Sequence, residues 1–200
     1  CQWSTVYLSN KTKKLAATND KNELMNRLFS AQERCPSELE PVDWPLLTPF
    51  QRALMITDGM VTQLIEAYVL ERIEIVTLAQ EERTLEVENA WLESSLGAPI
   101  VARDVLLRGR ESAATYVYGD SILATERLPA AMRRDLLESE EGIGRLVQRY
   151  QLETRRQLLW CGIERQSQMP DGVRGDFLYR SYRILSGTLP LMIIDERFPL

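Results

Sequence analysis

The spacing of apolar residues changes period several times along the chain, and each change marks an element. Thr48 followed by Pro49 specifies a helix start, with Thr as N-cap and Pro at the first helical position, and Phe50, Leu54 and Met55 form the apolar stripe. Asp58-Gly59 stops that helix, and Met60 to Ala67 restarts it with Met60, Leu64 and Ala67 on one side. Alternation from Tyr68 to Leu78 predicts a strand, while residues 81–96 fit either a helix or a broken strand. Pro99 to Leu107 and Ala113 to Leu123, joined by Arg108-Gly109-Arg110-Glu111-Ser112, predict an antiparallel hairpin. Helices are expected from Leu128 through Leu137 and around Leu146 and Val147, after Gly142-Ile143-Gly144. Tyr150 to Glu164 predicts one or two strands and Gln166 to Gly175 a loop. Phe177 to Leu185 and Leu191 to Phe198, joined across Ser186 to Pro190, close the chain as a second hairpin. Helices and strands interspersed in this way, with strands meeting through short turns, predict an α+β fold with a largely antiparallel sheet.

Before about residue 45 the pattern is weaker. A lysine-bearing stretch, Asn10 to Lys14, leads to a short helix predicted over Lys21 to Arg34. Three prolines between Cys35 and Pro45 then prevent regular structure. The expected organisation is an N-terminal arm, residues 1–45, lying on a domain of residues 46–200.

Composition narrows the chemistry. The 200 residues contain no histidine, which excludes Ser/His/Asp and Cys/His nucleophile systems and His-ligated metal sites. Acid-base work must fall to carboxylates. Cys1, Cys35 and Cys161 are an odd, scattered set, so neither a disulfide framework nor a zinc knuckle is expected, and Cys161 reads as a small buried hydrophobe. No metal and no cofactor is called for. Apolar runs such as Leu189 to Ile194 are far short of the roughly 20 residues of a membrane span. With no basic-then-apolar leader visible, a reducing cytoplasm is expected. The net charge of −5 comes with dispersed basic residues, and the helix after Met60 carries Gln63 and Glu66 but no Arg or Lys, so nucleic acid is not an expected partner. An anionic ligand would have to be held by a few local arginines.

Period-two phasing singles out two charges. Arg103 shares a strand face with Val101, Val105 and Leu107, while Asp104 points the other way. An arginine there needs an anion. Glu196 shares a face with Met192 and Ile194, which sets a carboxylate among apolar neighbours as a candidate proton carrier, and Asp195 falls on the opposite face. The alternative is that Arg103 and Glu196 simply neutralise each other or reach the sheet edge to solvate.

Residues 46–200 also resemble the chorismate pyruvate-lyase family. The resemblance is carried by Leu-Thr-Pro-Phe near the start of the domain, Asp-Gly-Met-Val-Thr at 58–62, Ala-Arg-Asp-Val-Leu-Leu at 102–107, Leu-Pro-Ala-Ala at 128–131 and Gly-Ile-Gly at 142–144. It ends in Arg-Ser-Tyr-Arg-Ile-Leu-Ser-Gly, followed by Leu-Met-Ile-Ile-Asp-Glu-Arg-Phe-Pro. It implies an antiparallel sheet with helical flaps over an internal ligand site. It also implies a cofactor-free carbon-oxygen lyase that takes chorismate to 4-hydroxybenzoate and pyruvate, for quinone-precursor or related aromatic biosynthesis. Carried over by position, Arg103 would bind the ring carboxylate, Glu196 would face the ring hydroxyl, and the backbone at Ile143 would line the pocket beneath the flap holding Met60. Where some members have an arginine after the glycine of the second central strand, this chain has Gly119-Asp120-Ser121. The candidates for the second substrate carboxylate are Arg180, Arg183 and Arg145. The expected partners are this substrate and product, with a monomer or small homo-oligomer. The same fold type serves as the effector-binding half of certain transcription regulators, so the alternative function is a non-catalytic aromatic-acid-binding domain.

Overall fold

The computed structural model describes residues 18–138 and 141–200. The lysine-bearing stretch before residue 18 lies outside the described residues. Among those described, a helix over residues 18–26 (α1) precedes α2 (Pro49–Ile56) and α3 (Val61–Val69). A meander follows, of β1 (Ile73–Thr84), β2 (Pro99–Gly109) and β3 (Thr115–Ala124). Helices α4 (Ala130–Glu138) and α5 (Ile143–Arg149) then lead into a second meander, β4 (Arg155–Gln168), β5 (Arg174–Ser186) and β6 (Leu189–Pro199). The strands form one antiparallel six-stranded sheet in the order β1-β2-β3-β6-β5-β4. The two meanders are therefore joined where β3 pairs with the last strand, β6. The fold is α+β, as the interspersed pattern predicted.

Both helical pairs cover the same face of the sheet. Helices α2 and α3 bury Leu54, Met55, Val61 and Ile65 against Leu107, Val117, Leu178 and Phe198, together with Phe29 and Trp44 from the segment that precedes them. Met132 and Leu136 of α4 and Leu146 of α5 pack on Val101, Leu123, Ile184 and Met192. Each such fully buried side chain contributes roughly 1.5–3 kcal/mol relative to exposure. The start of α2 is fixed locally: Gln51 donates its backbone N–H to the Thr48 hydroxyl and returns its side-chain carbonyl to the Thr48 N–H, a capping box ahead of Pro49. Residues 27–47 run along edge strand β4. Ser30 and Ala31 donate backbone N–H groups to the Leu158 and Leu159 carbonyls, and Glu40 bridges Ile163, so the exposed edge is covered.

The structure moves several expected boundaries. The first strand starts at Ile73 because α3 continues to Val69, and it runs on to Thr84 through a bulge near Leu78. Its last residues, Glu81, Glu82 and Arg83, are charged as suits an edge strand, which hides the alternation. The helix expected over Lys21 to Arg34 ends at residue 26, and Gln32–Arg34 form a separate 3-10 turn. The loop expected from Gln166 to Gly175 shrinks to residues 169–173, since β4 and β5 pair out to Gln168 and Arg174. No helix among the described residues is long and apolar enough to cross a membrane.

Candidate active site

Between the helices and the sheet lies a cavity of about 90 Å³. Its floor is the covered face of the central strands, including Val105, Gly119, Ser121 and Ile194, and its roof is formed by Met60, Ile143 and Gly144. Met60, Arg103, Ile143 and Glu196, the residues singled out from sequence, all line it. The two roof pieces meet because both are helix starts: Met60 caps α3 and Ile143 opens α5. A Cβ at Gly144 would stand 3.4 Å from the Met60 Cγ, and one at Gly142 would stand 2.4 Å from Cδ1 of Ile75. Both glycines bring the α5 flap down onto its neighbours.

Arg103 is 1% exposed. Its Nη1 donates to the Glu141 carbonyl at 2.8 Å and its Nη2 to the Thr77 hydroxyl at 3.2 Å, while Nε has no partner. None of the ion pairs found among the described residues involves it. Burial pushes its pKa below the ordinary arginine value. A buried cation held, among the described residues, by neutral acceptors is poised for an anion.

Glu196 finds its counter-charge elsewhere, which overturns the expected alternative of an Arg103–Glu196 pair. Arg180, opposite Glu196 in the β5–β6 register and 0% exposed, places Nε at 2.7 Å and Nη2 at 2.6 Å from Oε2. Tyr182 donates its hydroxyl to Oε1 at 3.0 Å. Met192 and Ile194 do share the strand face, but the carboxylate is not isolated among them. Arg180 Nη1 also donates to the carbonyls of Leu54 at 2.6 Å and Thr57 at 3.1 Å, where a cation complements the C-terminal end of α2. Burial, and then the charge of Glu196, hold the Tyr182 phenol well above its ordinary pKa, so it stays a hydrogen-bond donor. Asp195 faces the opposite side of the sheet near Ser181 and Tyr179, with its pKa raised by burial. Asp120 also lies on that side, paired with Arg197.

Of the arginines proposed for a second carboxylate, Arg180 is committed to Glu196 and the end of α2. Arg183 points to the far face and bonds Gln157, the Trp91 carbonyl and Glu93. Arg145 lines the cavity and also an outer recess with Arg72 and Arg110. Sequence reasoning missed Arg156 and Tyr182, which both line the cavity. The available signal for Arg156 was its phase with Leu158, two residues along the same strand. Cys161 is buried and its thiol is pushed far above its ordinary pKa, which leaves it inert.

Residues 55–200 match the family of chorismate pyruvate-lyases designated Rv2949c-like. The chain belongs to that family. Within the chorismate pyruvate-lyase family it is 26% identical over 158 residues to the chorismate pyruvate-lyase of Mycobacterium leprae, covering 74% of this chain and 72% of the relative. It is 25% identical over 162 residues to that of Mycobacterium tuberculosis, covering 74% and 78%. In fold it is similar to the effector domain of PhnF from Mycobacterium smegmatis, with a TM-score of 0.50 at 13% identity over 70% of this chain and 88% of that one. The span shared with the chorismate pyruvate-lyase family includes every cavity-lining residue from Met60 to Glu196.

Proposed function

We propose that this cavity takes chorismate and releases 4-hydroxybenzoate and pyruvate. The reaction breaks the ether C–O bond at ring C3, removes the proton at C4 and releases enolpyruvate, which becomes pyruvate; aromatisation of the ring supplies the driving force. Arg103 binds the ring carboxylate. Glu196 faces the ring hydroxyl and the carbon that bears it, and handles the proton. Arg180 and Tyr182 fix its position, and the roof at Met60 and Ile143 restricts the access of water. Spacing supports this pose: Arg103 pairs with Ser121, which pairs with Ile194, while Glu196 lies one two-residue step along and two strands away from Arg103. The two backbones are then roughly 12 Å apart, and inward-leaning side chains leave room for a ring with para substituents. Gly119, in register with Glu196, adds no side chain to the gap. The observation that carries the reading is the buried Arg103 guanidinium, which has no carboxylate partner among the described residues. In this reading the product serves quinone-precursor or related aromatic biosynthesis in the cytoplasm.

Incubation with chorismate is expected to yield equimolar 4-hydroxybenzoate and pyruvate, undiminished by EDTA, since a histidine-free chain with scattered cysteines offers poor ligands to a transition metal. One observation favours a second reading, a non-catalytic aromatic-acid-binding domain: both Glu196 oxygens already have partners. Binding of 4-hydroxybenzoate without any pyruvate release would decide for that reading.

A further inference from the structure

We propose that Arg156 receives the second carboxylate of a dianionic substrate, the one on the departing side chain, and so lets the cavity distinguish substrate from product. This rests on the lyase reading. Arg156 lines the same cavity as Arg103 and Glu196. Its Nη1 is buried with no hydrogen-bond partner, and none of the ion pairs found among the described residues includes it. A buried guanidinium nitrogen with nothing to donate to is costly unless a ligand completes it.

Its place in the sheet matches the substrate's shape. With the strand order β2-β3-β6-β5-β4, Arg103 stands on β2, Glu196 on β6 and Arg156 on β4. The Arg156 Cζ lies 5.3 Å from the centre of the Tyr182 ring, and the hydroxyl of that ring bonds Glu196. Along the strands Arg156 pairs with Ile184, which pairs with Met192, so it stands four residues back from Glu196, on the other side of the row of Arg103, Ser121 and Ile194. With a ring carboxylate at Arg103 and a hydroxyl at Glu196, a side chain on the carbon next to the hydroxyl turns off that line and runs back across Tyr182 toward Arg156. After C–O cleavage the side chain leaves with its carboxylate. The ring product keeps only the charge that Arg103 holds.

The test measures binding of two probes by calorimetry: 4-hydroxybenzoate, and 4-hydroxybenzoate bearing a carboxymethyl ether beside its hydroxyl, a dicarboxylate that cannot react. Arg156→Gln is expected to weaken the dicarboxylate by roughly 30-fold or more and 4-hydroxybenzoate by less than about threefold, with Arg156→Lys recovering part of the loss. The intact monocarboxylate site also shows that the variant folds. Equal losses on both probes, no loss on the dicarboxylate, or a selective loss found in Arg145→Gln instead would overturn the assignment. If the wild-type chain leaves chorismate unchanged while Arg156→Gln still loses only the dicarboxylate, the lyase reading fails and the two-carboxylate site stands.

Discussion

Arg103→Met is expected to raise the melting temperature of the ligand-free protein and to abolish its binding of 4-hydroxybenzoate. In the free protein Arg103 is 1% exposed, and among the described residues its guanidinium is satisfied by a backbone carbonyl and a hydroxyl, with Nε unpartnered. Its desolvation is therefore poorly compensated, and replacing a buried ionic group by an apolar one of similar volume commonly stabilises by about 1–4 kcal/mol. Binding moves the other way, because a charge-assisted pair to a buried carboxylate contributes roughly 2–5 kcal/mol, at least a 30-fold change in affinity. Stability and function oppose each other at this position, as they often do where a site is held ready for its ligand. Thermal melts and calorimetric titration check both halves. A lower melting temperature with binding retained would make Arg103 a structural cation.

Glu196→Gln should have the opposite effect on stability. It leaves Arg180, which is 0% exposed, facing a neutral amide. Removing one partner of a buried pair costs about 3–5 kcal/mol, mostly the penalty of the charge left behind. Adding Arg180→Met to Glu196→Gln should restore most of that loss, although the carbonyls of Leu54 and Thr57 then lose their donor. Denaturant titrations of the two single variants and the double variant close the cycle. Additive losses would show that the pair has no coupling, and that Glu196 is held in place by Tyr182 and packing alone.

How much of this was legible in the chain depended on whether alternation survived locally. In the central strand β2 it did, so the opposite faces of Arg103 and Asp104 followed from period two. Glu196 and Asp195 were separated in the same way near the end of β6. The partner of Glu196 was not legible. The Ser186–Leu189 pairing, extended evenly, would set Arg180 against Asp195, and only the bulge between Ile184 and Leu185 brings Arg180 opposite Glu196. A second bulge, between Leu158 and Trp160, breaks the phase of β4, and Arg156 sits among Arg155 and Gln157 as if in an ordinary polar strand start. Met60 and Ile143 came from the family resemblance and not from spacing. What unites them, the close approach of the two flaps at Gly144 and Met60, joins segments more than 80 residues apart.

The most direct test of the claim that chorismate is converted on this face of the sheet compares single-turnover rates of the wild-type chain, Glu196→Gln and Asp195→Asn, each per mole of protein shown to be folded by circular dichroism. Glu196→Gln should form 4-hydroxybenzoate at least ~10²-fold more slowly while still binding it, as loss of a general acid-base group requires, and Asp195→Asn should stay close to wild type. Comparable rates for wild type and Glu196→Gln, or a larger loss in Asp195→Asn, would place the chemistry on another carboxylate and contradict the account.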